Sequence, residues 1–110
     1  VEKVYYAGLK EHPQYEISKK QATGFGAMIS FTVYETALVA KILERVKIIS
    51  YAESLGGVES LITYPILQTH AAIPQEIREK LGVTEKLLRL SVGIENADDL
   101  IIDLKEALSK

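Results

Sequence analysis

A mixed α/β domain with helices packed on a small sheet is the fold class this sequence predicts. Three observations carry that reading. Four short β-type runs alternate with stretches of helical period. A chain of this size buries roughly 60 to 70% of the surface it would expose unfolded, enough for one modest core and too little for two. With 47% hydrophobic and 25% charged residues, the composition is that of an ordinary globular domain. Residues 1–110 therefore read as one domain, without linker, repeat or low-complexity segment.

The first β-type run is Val4 to Tyr6, closed by Gly8, and a helical stretch follows His12-Pro13 as far as Gln21. Gly24-Phe25-Gly26 then bends the chain. It is no dinucleotide fingerprint, because the third glycine is missing and a strand follows instead of a helix. From Ala27 to Tyr34, the residues Ala27, Ile29, Phe31 and Val33 alternate with Met28, Ser30, Thr32 and Tyr34, the period of a half-buried strand. Between Thr36 and Val46 the apolar residues Leu38, Val39, Ile42, Leu43 and Val46 recur at helical spacing, with Lys41, Glu44 and Arg45 outward. Val46 to Ala52 reads as a third strand.

The stretch from Glu53 to Ile73 lacks clean periodicity and carries Gly56-Gly57 and Pro65; long irregular segments in small domains are often functional. Pro74 suits the first position of a short helix through Lys80, which Gly82 ends. Leu87 to Ile94 is the fourth strand. Asn96 caps a final helix with Asp98 and Asp99 in its first turn and Lys105 and Lys110 toward its end, matching the helix dipole. Leu100, Ile101, Leu104 and Leu108 supply its expected buried stripe.

Several function classes are disfavoured. The charge is near zero, 13 Lys+Arg against 15 Asp+Glu, and the basic residues are scattered, so the chain lacks the cationic stripe that nucleic acid requires. Apolar stretches such as Ala37 to Ala40 fall far short of the about 20 residues of a membrane span. Without cysteine there is no disulfide framework or thiolate site, and two histidines, His12 and His70, make a metal site unexpected. Glu59 and Ser60 have no paired histidine to make a nucleophile and base. The sequence opens at Val1 and reaches its first strand at once, so the expectation is a piece of a longer protein whose leader, if any, lies outside it.

Two features point to chemistry. Alternation in Leu87 to Ile94 sends Leu88, Leu90, Val92 and Ile94 to one face and Arg89, Ser91 and Gly93 to the other. From pattern alone a solvated arginine is the plainer reading, since most arginines are exposed. The functional reading is an anion clamp, because a guanidinium is a rigid two-pronged donor that matches a carboxylate. In Glu53-Ser54-Leu55-Gly56-Gly57 the paired glycines free backbone amides to turn toward an anion, and Ser54 adds a hydroxyl. Taken alone, this motif reads more plainly as a turn. Together the two features could form two sides of one carboxylate pocket.

Taken as a set, the motifs Tyr5-Tyr-Ala-Gly-Leu9, His12-Pro13, Gly24-Phe-Gly26, Ser30-Phe31, Ser54-Leu-Gly-Gly-Val-Glu-Ser-Leu61, Thr69-His70 and Leu88-Arg-Leu-Ser-Val-Gly-Ile-Glu95 resemble the C-terminal domain of the Cys/Met-metabolism family of pyridoxal-phosphate enzymes. That family includes cystathionine γ-synthase, the cystathionine lyases, methionine γ-lyase and homoserine sulfhydrylases. The resemblance runs over essentially the whole chain and reverses the weighing of Arg89. It implies a two-layer α+β fold of a fold-type I enzyme, with a mostly antiparallel sheet of about four strands and helices on one face. It implies that Arg89, with Ser54, binds the substrate α-carboxylate, and that Glu53, Leu55 and Thr69 line the site.

The same resemblance implies pyridoxal 5'-phosphate as cofactor, a small amino-acid substrate, a cytoplasmic homo-oligomer, most simply a tetramer, and no metal. Cystathionine γ-synthase is the member it favours, with the cystathionine lyases and methionine γ-lyase as alternatives; a stand-alone ligand-binding module is the rival from another class. The family's Schiff-base lysine segment is not in this sequence, so the large cofactor-binding domain is expected outside it and the chain by itself is expected to be inert. Ala7, where the family usually has Pro, and Tyr15, where it often has His, depart from the pattern away from these positions.

Overall fold

Strand β5 (Leu87–Ser91) runs between two antiparallel neighbours, and their register decides which side chains meet. On one side lies β2 (Met28–Thr32), with Phe31 opposite Leu88 and Ile29 opposite Leu90. On the other lies β4 (Leu61–Thr63), with Ile62 opposite Leu90. Outer strands β1 (Lys3–Tyr5) and β3 (Ser50–Tyr51) complete the order β1-β2-β5-β4-β3, in which only β3 and β4 run parallel. The computed structural model describes residues 1–109.

Because side chains alternate along a strand, this register collects Ile29, Phe31, Ile62, Leu88 and Leu90 on one face. Helix α2 (Ala37–Arg45) covers that face with Val39 and Ile42, and α4 (Ala97–Leu108) with Leu100 and Ala107. Leu88 and Ile62 are fully buried, each such side chain contributing about 1.5 to 3 kcal/mol. Helices α1 (Tyr15–Gln21) and α3 (Gln75–Lys80) bury no residue completely. The opposite sheet face is polar at its centre, where Ser30, Arg89 and Thr63 form one cross-strand row.

The mixed α/β class and the mostly antiparallel sheet agree with the sequence reading, but the sheet has five strands. The additional one, β4, lies inside the stretch read as irregular; three residues are too few to show a period. The third strand is shorter than expected, because the main-chain N–H groups of Lys47, Ile48 and Ile49 donate to the Asp103 carboxylate at 2.8, 3.0 and 3.0 Å instead of to a neighbouring strand. The same contact corrects the stripe of α4: Asp103 is buried, whereas Ile101 is 54% exposed. Residues 100, 103, 104, 107 and 108 share a face at helical spacing, and position 101 is turned about 100° away from 100.

Other local signals hold. The Asn96 side chain accepts from the N–H groups of Asp98 and Asp99, capping α4. Gly82, with φ +80°, follows α3 in the left-handed conformation that glycine adopts without strain. At the bend before β2 the Tyr6 hydroxyl donates to the Gly26 carbonyl at 2.9 Å, and Phe25 stacks on Tyr15 with ring centres 5.2 Å apart.

Candidate carboxylate site

Arg89 stands in the middle of the polar sheet face, half-buried, because alternation in β5 that inserts Leu88 and Leu90 into the core must turn position 89 the other way. Its Nη2 donates to the Glu53 main-chain carbonyl at 3.0 Å and to the Thr63 hydroxyl at 3.4 Å. The Nε atom is buried and meets no hydrogen-bond acceptor among the described residues. Leaving a buried donor unmet costs about 1 to 3 kcal/mol, so native structures seldom keep one without a reason. Arg78 Nε is likewise buried without an acceptor among the described residues, so what sets Arg89 apart is its place at the centre of the polar face, anchored on one side, where its planar fork suits an incoming carboxylate.

The loop from Glu53 to Ser60 links the parallel pair β3 and β4. Gly56, at φ +75°, turns it, and the Gly56 N–H donates to the Ser91 hydroxyl at 2.9 Å. Ser91 is two residues beyond Arg89 on the same face of β5, so the glycine turn and the arginine strand do come together as two sides of one region. At the far end of the loop, the Glu95 carboxylate accepts from the Ser60 N–H at 2.8 Å and from the Ser60 hydroxyl at 2.7 Å. The Ser60 main-chain bond and then its hydroxyl hold the Glu95 carboxyl below its usual range.

The residues singled out from sequence are placed unequally. Glu53 reaches Arg89 directly, but with its main-chain oxygen and not its carboxylate. Ser54 and Leu55 follow it in the same loop and are exposed, Leu55 by 55%. Thr69 is also exposed, its hydroxyl pairs with His70 Nδ1 at 2.7 Å, and among the described residues no hydrogen bond joins it to Arg89. Thr63, Ser91, Ser60 and Glu95 were not singled out as site residues, although all four hold the loop or the arginine in place. Ser91 alone had a readable signal, since alternation puts it on the face of Arg89.

The family described as Cys/Met metabolism PLP-dependent enzyme matches residues 1–109. The chain belongs to that family. Cystathionine beta-lyase of Lactococcus lactis subsp. cremoris is 53% identical over 110 residues, covering 100% of this chain and 29% of that protein. Cystathionine gamma-lyase of Dictyostelium discoideum is 50% identical over 111 residues, again 100% of this chain and 29% of the relative. Among solved structures, cystathionine gamma synthase from Xanthomonas oryzae pv. oryzae in complex with cystathionine superposes with a TM-score of 0.93 at 47% identity, over 98% of this chain and 28% of that one. The chain thus spans less than a third of the length of these family members, and matches a part of fold-type I pyridoxal-phosphate enzymes.

Proposed function

We propose that this chain is the C-terminal, carboxylate-gripping domain of a pyridoxal-phosphate enzyme that makes or breaks cystathionine in the cytoplasm, working as a homo-oligomer, most simply a tetramer. The observation that carries the reading is the Arg89 guanidinium, anchored at Nη2 by the Glu53 carbonyl while its buried Nε has no acceptor. In this proposal Arg89 holds the substrate α-carboxylate, and Ser54 adds a polar contact beside it. Leu55 excludes water from the edge of the site, while Glu53 and Thr69 lie toward the substrate's distal end.

Pyridoxal phosphate, when bound, withdraws electrons from a bond at the amino-acid α-carbon. The groups that hold it, the Schiff-base lysine included, are assigned to the large domain outside this chain; Arg89, with unspent donors, fits the role of orienting the substrate toward it. A substrate free to turn about its N–Cα bond presents any of three bonds for cleavage. Fixing its carboxylate selects one.

The sequence favoured γ-synthase chemistry, replacement on an O-acylhomoserine by cysteine, and the likeness to the Xanthomonas enzyme supports it. Elimination is the second reading, favoured by relatives at 53% and 50% identity named as β- and γ-lyases. Assaying the full-length enzyme separates them. Cystathionine formed from an O-acylhomoserine and cysteine supports the synthase, whereas 2-oxo acid released from cystathionine supports a lyase. A start codon immediately before Val1, with no upstream segment bearing the lysine, would refute both and leave a ligand-binding module.

A further inference from the structure

The loop carrying Glu53, Ser54 and Leu55 is fastened at its far end to the chain beyond β5. Glu95 grips Ser60 through both the N–H and the hydroxyl, at 2.8 and 2.7 Å. That hydroxyl accepts in turn from the Gly93 N–H at 2.8 Å, and the Ile94 N–H donates to the Val58 carbonyl at 2.9 Å. Ser60 is 1% exposed, so the brace is shielded at its centre. Gly93 is there because nothing larger fits: a Cβ would overlap the Val58 carbonyl oxygen and lie 2.7 Å from Glu59 C.

The other ties of the loop join neutral groups, except at the arginine. Ala52 N–H donates to the Ile62 carbonyl at 3.0 Å while the Ala52 carbonyl accepts from the Thr63 hydroxyl at 2.5 Å, the Ser60 carbonyl accepts from the Ser50 N–H at 3.1 Å, Gly56 N–H donates to Ser91, and the loop meets the arginine through the Glu53 carbonyl. Glu95 supplies the one contact in which a charged group holds two loop donors at once, and such charge-assisted bonds are roughly twice as strong as neutral ones. An ionised carboxylate is also the right acceptor, having no hydrogen to oppose either donor.

We infer that Glu95 is a positioning residue for the Arg89 grip: by clamping Ser60 it fixes the loop that presents the Glu53 carbonyl to the guanidinium. The inference rests on the reading of Arg89 as the carboxylate clamp. Glu95→Gln is the informative change, since it keeps size and one acceptor but turns an N–H₂ group toward a donor.

The test uses the full-length holoenzyme and two ligands that differ only in the carboxylate, L-alanine and L-alaninamide, with binding read from coenzyme absorbance. Glu95→Gln should weaken L-alanine by about three- to tenfold, the equivalent of one hydrogen bond, and L-alaninamide by less than about twofold. Ser60→Ala, which removes the hydroxyl and spares the main-chain bond, should move the two ligands in the same unequal way. Equal weakening of both ligands, no change beyond about twofold, or loss of coenzyme in both variants would overturn the positioning role. Arg89→Ala, run alongside, must separate the two ligands as well. If it does not, the clamp reading has failed; if it does while Glu95→Gln behaves as wild type, only the role of Glu95 has.

Discussion

Arg89 and Glu53, 36 residues apart in the chain, meet at 3.0 Å through a guanidinium nitrogen and a main-chain oxygen. Since the acceptor is backbone, the contact depends on the path of the loop and not on which side chain occupies position 53. The Gly56 turn, the Ser91 hydroxyl and the Ser60–Glu95 brace set that path. A strand fixed by core packing and a loop fixed by polar contacts therefore converge on one cation.

Arg89→Ala in the holoenzyme should remove a charge-assisted hydrogen bond of about 1.5 to 3 kcal/mol, weakening amino-acid substrates by about ten- to 150-fold in kcat/KM. Coenzyme absorbance should remain, because the coenzyme is assigned to groups elsewhere. Arg89→Lys should recover only part of the loss, as an ammonium lacks the planar fork. Steady-state kinetics with each variant provides the check; activity within about twofold of wild type would exclude the clamp.

Gly93→Ala tests the close approach of the strand end and the loop. Of the three neighbours that a methyl group would strike, the Val58 carbonyl and Glu59 are main chain and cannot rotate aside, and the third, a Glu95 carboxylate oxygen at 2.6 Å, is held by Ser60. The expected cost is that of overpacking, about 1 to 3 kcal/mol. In urea the midpoint should fall while the slope stays constant.

If the reading of a missing large domain is right, the 110-residue chain expressed alone should self-associate. Ile94 is 83% exposed, Val58 64% and Leu55 55%, and the hydrogen bond from Ile94 to Val58 brings the first two together. Apolar groups clustered at a polar site are more consistent with a covering partner than with open water. Sedimentation velocity should show weight-average mass rising with concentration. A clean monomer at high concentration would count against the covering domain.

How much of this was legible depends on the range of the signal. The Asn96 cap, the Gly82 stop and the alternation that sets Arg89 apart from Leu88 and Leu90 are local patterns, and all three are present. Strand β4 was missed because its identity comes from pairing with Leu90 and Arg89 and not from any period of its own. Glu53 meets Arg89 through its carbonyl, a contact that any residue type could make and that its identity therefore does not announce. Hydrophobicity alone assigns Ile101 to the core stripe, whereas the helix buries the acidic Asp103 instead. Nothing in the sequence near Asp103 announces three N–H donors more than 50 positions away.

Asp103 also carries the clearest pH dependence. Burial pushes its carboxyl upward, but the N–H groups of Ile49, Lys47 and Ile48, helped by the Lys47 charge, outweigh that, and the net shift is below the ordinary value of 3.8. The folded pKa therefore lies below the unfolded one, so the unfolded chain binds the proton first as pH falls. Asp103 contributes its full stabilisation above the unfolded value, and loses it as pH drops from there through the depressed folded pKa. Asp103→Asn can accept with one oxygen only, leaving at least one of the N–H groups facing an amide N–H₂ at a cost of about 1 to 3 kcal/mol at neutral pH. The variant should be less stable than wild type at pH 7, with the difference narrowing below the ordinary carboxyl range. Urea titrations of both proteins across that range decide the matter, since a gap independent of pH would mean that the charge on Asp103 does not hold the turn from Lys47 to Ile49.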